Sequence, residues 1–212
     1  MVGGGARVGE ALSAAIPALE ASGVDTPRLD AEVLLSGITG IDRARMISEP
    51  DLEMKPADAR EFATAIRRRC AREPVAYILG RKGFRYIDLE VDQRVLVPRP
   101  ETEMLVEVAL EIDPASVLEI GTGSGAIALA IADEIPEAGI TATDVSASAL
   151  VIARRNAARL GSLGHIRFVE ASIPDSGGFD LIVANLPYVA EDEHLAPEIT
   201  KYEPHGAVYG GP

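Results

Sequence analysis

Cysteine and histidine are scarce in this sequence of 212 residues. Cys70 is its single cysteine, so an intrachain disulfide is excluded and a reducing compartment, the cytoplasm, is the natural setting. We interpret Cys70 as a helix residue without a chemical role. The three histidines, His165, His194 and His205, show no spacing typical of a metal site, so no metal is expected.

Long apolar runs and an excess of basic residues are also missing. No stretch approaches the roughly 20 consecutive apolar residues that a membrane-spanning helix requires. The sequence has 20 lysines and arginines against 33 aspartates and glutamates, which gives a formal net charge of -13. Because phosphate-binding surfaces concentrate lysine and arginine, this balance disfavours DNA and RNA as substrates.

The hydrophobic content, at 47%, is enough to build ordinary cores, and the length allows one substantial domain together with a small one. In residues 1–72 apolar side chains recur at helical spacing, as in Val8 and Leu12. Pro27 and Pro56 suit the first turn of a helix. We therefore predict a small helical bundle over this segment, which could stabilise the chain or recognise a partner.

Residues 73–100 change to short runs rich in β-branched and aromatic residues. Two of these runs, residues 83–91 and 94–97, are separated by the pair Asp92 and Gln93. This pattern predicts a β-hairpin linker with its turn at that pair. Two prolines then stop the second run, and helical periodicity resumes after them.

Strand and helix patterns alternate through the rest of the chain, residues 101–212. The predicted segments are 116–120, 126–134, 139–143, 147–160, 165–169 and 179–184. Such alternation indicates a parallel α/β sheet with right-handed crossovers. The sequence provides only four predicted strands for this sheet. If further strands normally complete it, their absence leaves the backbone groups of an edge strand unpaired. We therefore expect this domain to be incomplete, truncated at its C-terminal side.

A glycine-rich turn follows the first strand of this sheet and leads into a helix. The turn consists of Gly121, Thr122, Gly123, Ser124 and Gly125. Here the backbone can approach a bulky ligand closely, with the N–H groups of the helix N-terminus directed at it. Asp144 ends the second strand about 20 residues later, where a carboxylate can accept hydrogen bonds from ribose hydroxyls. A tight turn with a helix-capping aspartate would look similar, and a nicotinamide cofactor would use the same geometry.

The tetrapeptide at the end of the fourth predicted strand is Asn185, Leu186, Pro187 and Tyr188. It lies beside the crevice where open parallel sheets bind ligands. An amide nitrogen is a poor nucleophile because its lone pair is delocalised, so a methylating enzyme must hold the NH2 group with acceptors. The side-chain oxygen of Asn185 and the carbonyl of Leu186 can accept, and Tyr188 can pack against a planar amide. A strand-ending turn would use the same residue types.

With both motifs present in this order, the sequence resembles the protein-(glutamine-N5) methyltransferases that modify peptide chain release factors. Three more segments carry the resemblance: residues 25–32 (DTPRLDAE), 72–80 (REPVAYILG) and 97–103 (VPRPETE). The resemblance implies a Rossmann-like methyltransferase fold, S-adenosylmethionine as cofactor, and the glutamine of a Gly-Gly-Gln motif as substrate. It also implies that the helical bundle helps to dock the release factor. We expect a cytoplasmic monomer.

The resemblance implies roles for the site residues as well. Residues 121–125, Asp144 and Asn185 would bind the cofactor, and residues 185–188 would hold the glutamine. Ser172 and Ile173 stand near the adenine, where the family often has an acidic residue followed by a large apolar one. Leu186 replaces the first proline of the family's Asn-Pro-Pro-Tyr, although the proline that follows it still favours an extended backbone there.

Two other functions remain open at this stage. A nucleic-acid adenine N-methyltransferase uses a similar Asn-x-Pro-Tyr arrangement, with the tyrosine stacked on a flipped base. The acidic charge balance and the linker segments speak against it. A noncatalytic fragment that binds a partner through the bundle would be favoured if the sheet could not bind a cofactor, and cofactor titration separates these cases.

Overall fold

The computed structural model describes residues 6–174 and 178–211. The remaining residues of the predicted domains, 1–5, 175–177 and 212, lie outside the described part. The chain divides into two compact units, Met1–Leu79 and Gly80–Pro212. In the described part, no helix has the length and apolar character needed to cross a membrane.

Helices α1 to α5 form the first unit: Val8–Ala21, Pro27–Thr39, Arg43–Ser48, Pro56–Cys70 and Val75–Leu79. Proline begins both α2 and α4, where its missing N–H leaves no hydrogen bond unmade. Leu19, Leu34 and Leu35 are fully buried among these helices. The predicted helical bundle is therefore confirmed.

Buried charges on α2 are paired within this unit. The Asp30 carboxylate accepts a hydrogen bond from the Arg69 guanidinium at 2.6 Å and from the Thr26 hydroxyl at 2.8 Å. Glu32 is likewise buried and accepts from Arg43 at 2.7 Å. Because a buried charge without its partner is strongly unfavourable, these pairs tie α2 to its neighbours. They also give a structural reason for the acidic residues in segment 25–32.

The second unit opens with a β-hairpin whose turn differs from the prediction. Strands β1 (Arg81–Phe84) and β2 (Ile87–Glu90) pair antiparallel around a turn at Arg85, so a turn at Asp92 and Gln93 is wrong. Arg85 adopts a left-handed φ of 47°, which is uncommon for a residue with a side chain. Carboxylates from later in the sequence hold it there: Glu103 accepts from its N–H at 3.1 Å, and Glu134 from its guanidinium at 2.5 Å.

The residues after β2 form a turn, and the strand predicted at residues 94–97 does not form. The Asp92 side chain accepts a hydrogen bond from the Arg94 N–H at 3.0 Å, which closes a local side-chain turn. The chain then passes through Val95 and Val97, both buried, without joining a sheet. Burial in irregular backbone explains why these β-branched residues resembled a strand in the sequence.

A four-stranded parallel sheet with flanking helices makes up the rest of the second unit. Its elements are a 3-10 helix at Pro100–Thr102, α6 Glu103–Ile112, β3 Ser116–Ile120, α7 Ala126–Glu134, β4 Gly139–Asp144, α8 Ala147–Arg159, β5 Ile166–Glu170, β6 Leu181–Ala184, α9 Pro197–Tyr202 and α10 His205–Val208. The strand order is β5-β4-β3-β6. The chain therefore reverses its direction of winding at β3, and open sheets bind ligands at such a point. The predicted α/β fold is confirmed.

The two faces of this sheet are covered unequally. Val117, Ile140 and Ile166 lie in register on one face and are all buried, with α7 and α8 packed on the sheet. On the opposite face, Ile182 of β6 is largely exposed. The alternation of buried and exposed residues along β6 follows the two-residue period of a strand.

Candidate active site

A cavity of about 360 Å3 opens at the carboxyl ends of β3, β4 and β6. Such a volume is in the range of small-molecule sites, which is about 300 to 1,000 Å3. Its walls come from six stretches of the second unit: residues 94–102, 119–127, 144–149, 171–172, 185–187 and 204–207. The winding of the sheet brings these distant stretches together at one edge.

The glycine-rich turn forms the base of the cavity and is fastened to β4. The N–H groups of Gly121 and Thr122 both donate to the Thr143 carbonyl, at 2.9 and 2.8 Å. Gly121 has a φ of 73°, and a Cβ added to it would lie 3.2 Å from the Leu186 side chain. A glycine here therefore allows the left-handed turn and the close approach of the residues after β6.

Gly125 has a different position from the other residues of the turn. It precedes α7 and lies outside the cavity lining, and a Cβ added to it would stand 2.9 Å from the Leu129 side chain. The four residues before it, Gly121, Thr122, Gly123 and Ser124, all line the cavity. Gly125 thus supports the turn through helix packing instead of facing the cavity.

Asp144 lines the cavity at the end of β4, as its place in the sequence predicts. Its carboxylate accepts hydrogen bonds from two backbone N–H groups, those of Gly123 at 2.8 Å and Ser146 at 2.9 Å. Each carboxylate oxygen still has acceptor capacity, because an ionised carboxylate offers about four acceptor sites. The two bonds fix the carboxylate between the turn and α8, and binding of ribose by Asp144 stays a prediction.

Glu119 is a member of the site that the sequence analysis missed. It is 1% exposed, lines the cavity, and accepts hydrogen bonds from the Thr122 hydroxyl at 2.6 Å and the Ala128 N–H at 3.1 Å. Burial raises the pKa of this carboxyl to about 8, against the opposing effect of the two hydrogen bonds. The available signal was an acidic residue inside the apolar run of β3.

Asn185 lies at the rim of the cavity, directly after β6. Its side-chain nitrogen donates a hydrogen bond to the Thr102 hydroxyl oxygen at 3.2 Å. The side-chain oxygen of Asn185 is then the group left to accept from a ligand. Leu186 and Pro187 also line the cavity. Thr102 was not predicted as a site residue, although it belongs to the segment at 97–103 that carries the family resemblance.

Of the three remaining predicted site residues, one lines the cavity and two lie outside its lining. Ser172 lines the cavity, and its carbonyl accepts from the Thr143 hydroxyl at 3.4 Å. Ile173, at 67% exposed, is outside the lining. Tyr188 is also outside it and is 85% exposed. The structure thus brings together Gly121 to Ser124, Asp144, Ser172 and Asn185 to Pro187, and the roles of Ile173 and Tyr188 stay predictions.

An ion pair with a buried carboxylate connects two segments that contribute to the cavity walls. Glu203 accepts a hydrogen bond from the Arg99 guanidinium at 2.6 Å and another from the Val97 N–H at 3.3 Å. The Glu203 side chain is almost fully enclosed, so both of its oxygens are occupied in a poorly solvated place. Pro98 and Pro204, the neighbours of these residues, line the cavity.

Family models match segments in both units of the chain. A family model described as the PrmC N-terminal domain matches residues 10–80, and one described as the methyltransferase small domain matches residues 100–202. Among solved structures, the ribosomal protein L11 methylase of Lactobacillus delbrueckii subsp. bulgaricus is 33% identical over 42% of this chain and 47% of its own, with a TM-score of 0.37. A score this low adds nothing to the assignment.

Curated relatives are similar over most of the chain. The release factor glutamine methyltransferase of Koribacter versatilis is 41% identical, over 95% of this chain and 75% of its own length. Those of Chlorobaculum tepidum and Xylella fastidiosa are 42% and 45% identical, over 87% of this chain in each case and 69% and 70% of their own lengths. Identity of this degree over more than two thirds of each relative leaves no ambiguity about ancestry. The chain belongs to the release factor glutamine methyltransferase family.

Proposed function

We propose that this chain transfers a methyl group from S-adenosylmethionine to the side-chain amide nitrogen of a glutamine in a release factor. The observation that carries the proposal is Asn185, whose side-chain nitrogen is occupied by Thr102 at the rim of the cavity. Its oxygen is thereby available as an acceptor for an NH2 group. The curated relatives, which carry the name release factor glutamine methyltransferase, agree with this chemistry.

The residues of the cavity fit S-adenosylmethionine. Apolar side chains such as Ile127 and Leu186 form part of the lining, and the carboxyl groups of Glu119 and Asp144 are the acidic groups on it. A cofactor with a sulfonium charge, ribose hydroxyls and an adenine matches that combination, because the Asp144 carboxylate can attract a cation and accept from hydroxyls, while the apolar side chains can contact the adenine. We assign Asp144 to the ribose, residues 121–124 of the turn to the amino-acid portion, with Gly125 as its support, and Ser172 with Ile173 to the adenine side. When bound, the cofactor supplies an electrophilic methyl carbon.

The chain's own residues would position the acceptor amide. Its two N–H groups would donate to the Asn185 side-chain oxygen and to the Leu186 carbonyl, which would fix the direction of the nitrogen. These acceptors also stabilise the positive charge that develops on the nitrogen as the C–N bond forms and before its proton leaves. Tyr188 is exposed beside them, and we propose that it packs on the planar amide when the glutamine is bound.

We further propose that the glutamine belongs to a Gly-Gly-Gln motif and that residues 1–72 dock the release factor. The first unit has an open depression of its own, of about 460 Å3, lined in part by Leu12, Ile16 and Ile47. Ile47 is 73% exposed and adjoins the apolar lining of the depression, and contiguous apolar surface of this kind is typical of sites of protein contact. On this proposal residues 73–100 are a linker whose last part adds to the cavity wall, residues 101–212 bind the cofactor, and the protein acts as a monomer in the cytoplasm.

A methyl-transfer assay tests the function. The chain is incubated with labelled S-adenosylmethionine and either a purified release factor or the same factor with the glutamine of its Gly-Gly-Gln motif replaced by alanine. We expect label on the first protein only, and loss of that label with Asn185→Ala. Label on neither protein, with DNA accepting methyl groups instead, would favour the nucleic-acid alternative, which the net charge of -13 disfavours.

A further inference from the structure

We propose that Thr102 is a positioning residue that orients the Asn185 side chain, and that Arg99 and Glu203 hold Thr102 in place for this task. This inference rests on the proposed function, because it concerns how the acceptor amide is held. None of the three residues was predicted from the sequence as part of the site. One short turn connects Thr102 to Arg99, and a contact between distant positions in the chain connects Arg99 to Glu203.

The contact between Thr102 and Asn185 is the first step. The Asn185 nitrogen lies 3.2 Å from the Thr102 hydroxyl oxygen, and Thr102 is buried. A hydrogen bond in such a poorly solvated place is stronger than the same bond in water. The Asn185 side chain is otherwise only partly buried at the cavity rim, so this bond restricts its rotation.

Orientation matters because the two ends of a carboxamide have nearly the same shape. If the Asn185 side chain rotated by half a turn, its NH2 group would face the NH2 group of the substrate, and two donors would oppose each other. A hydroxyl can accept or donate, so Thr102 can satisfy either end of the asparagine. Thr102 therefore anchors one end of the side chain, and the substrate amide, which can only donate through its nitrogen, selects the orientation in which the asparagine oxygen faces it.

Thr102 is itself held through Arg99, which pairs with Glu203. It ends the short 3-10 helix, where its N–H donates to the Arg99 carbonyl at 3.1 Å. The Arg99 side chain donates to Glu203 at 2.6 Å, and the second oxygen of Glu203 accepts from the Val97 N–H at 3.3 Å. The turn before Thr102 is therefore fixed at two points by one buried carboxylate.

Kinetics of matched variants provide the first test. Thr102→Val keeps the shape of the side chain but removes the acceptor, whereas Thr102→Ser keeps the hydroxyl. We expect kcat for methylation of the release factor to fall roughly 10-fold to 100-fold in the valine variant and to stay within about threefold in the serine variant. The Kd for S-adenosylhomocysteine should change less than kcat in the valine variant, because the contact that is lost orients the acceptor amide. Thr141→Val, on β4, is the control.

Nuclear magnetic resonance of the Asn185 side chain provides a second test that needs neither release factor nor turnover. Its NH2 signals are assigned by their disappearance in Asn185→Asp. We expect these signals to shift and broaden in Thr102→Val, to return in Thr102→Ser, and to broaden partly in Glu203→Gln. If the chain methylates a substrate other than a release factor, the kinetic test would fail. The changes expected in the NH2 signals of Asn185 would still be seen, so the two kinds of failure can be told apart.

Either of two results would overturn the inference. Unchanged NH2 signals in Thr102→Val would mean that Thr102 does not hold Asn185. Equal losses of kcat and of melting temperature in the valine and serine variants would mean that Thr102 has only a structural role. A loss confined to the valine variant, with the Thr141→Val control unaffected, supports the positioning role.

Discussion

At the scale of single residues, Glu119 is a carboxyl group without access to solvent at the base of the cavity. Its burial raises its pKa to about 8 from an ordinary value of 4.5, so the protonated form prevails in the folded chain at neutral pH. The unfolded chain has already released that proton. The folded state therefore binds more protons than the unfolded state over this interval, and the stability contribution of Glu119 falls as the pH rises from about 4.5 to about 8.

Glu119→Gln should remove this pH dependence, because glutamine has the shape of the protonated acid and its oxygen can accept from Thr122 and Ala128. We expect the variant and the parent to have similar free energies of unfolding at pH 5. At pH 9 the variant should be more stable by about 2 to 4 kcal/mol. Urea unfolding at several pH values measures the difference, with Glu111→Gln, at an exposed position on α6, as the control. Parallel pH curves for parent and variant would contradict the prediction.

At the scale of structural elements, one buried asparagine of α8 connects the hairpin to the glycine-rich turn. The Asn156 side chain accepts from the Glu90 N–H at 2.7 Å and donates to the carbonyls of Glu90 at 3.0 Å and Ser124 at 2.9 Å. It is fully buried. The side chain thus continues the hydrogen bonding of β2 and at the same time fixes the turn that lines the cavity.

Asn156→Ala should therefore affect both stability and ligand binding. It leaves one N–H and two carbonyls without partners, and we expect a loss of about 2 to 4 kcal/mol in the free energy of unfolding. Affinity for S-adenosylhomocysteine should fall as the turn loosens, which calorimetry can measure. Arg155→Ala, which removes a solvent-exposed pair with Glu90, should change stability by less than about 1 kcal/mol. Equal effects of the two variants would count against this account.

The elements also show what sequence patterns can and cannot predict. The bounds of β3 and α7 match the prediction at every residue, because the glycine-rich turn separates an apolar strand from an Ala-rich helix. The hairpin turn was missed because Arg85 is held in its unusual φ by carboxylates 18 and 49 positions away. The composition of a short segment predicts a strand or a turn but does not identify hydrogen-bond partners that lie so far away in the sequence.

Site residues that directly follow a predicted strand could be predicted from the sequence, whereas the others could not. The turn at 121–124, Asp144 and Asn185 follow directly after strands, so the order of strands places them at one edge of the sheet. Thr102 and Glu203 lie at the ends of short helices whose positions depend on tertiary contacts. The contact of Thr102 with Asn185 and that of Glu203 with Arg99 could not be predicted from local spacing.

At the scale of the whole molecule, the two compact units suggest a division of labour between docking and chemistry. Asp30→Ala removes the carboxylate that pairs with the buried guanidinium of Arg69, which we expect to destabilise the first unit by about 3 to 5 kcal/mol. On the proposed function, the KM for the release factor should then rise, so that methylation becomes less efficient. Binding of S-adenosylhomocysteine to the second unit should be unchanged.

This prediction is checked by steady-state kinetics and calorimetry on the same preparation of the full chain. Asp25→Ala, at an exposed position just before α2, serves as the control and should leave both quantities as in the parent. If Asp30→Ala weakened cofactor binding as strongly as it raised KM, the two units would not be separable in function, and the proposed docking role of residues 1–72 would have to be abandoned.

The pair formed by Arg99 and Glu203 has a consequence for synthesis of the protein. The two residues are 104 positions apart in the chain. A ribosome adds about 5 to 20 residues per second, so Arg99 emerges several seconds before the carboxylate with which it pairs. Until then the segment that contains Val97 and Thr102 lacks the two hydrogen bonds to Glu203 that fix it. A nascent chain should therefore complete its helical bundle early and acquire affinity for the cofactor only after residue 207 has left the exit tunnel.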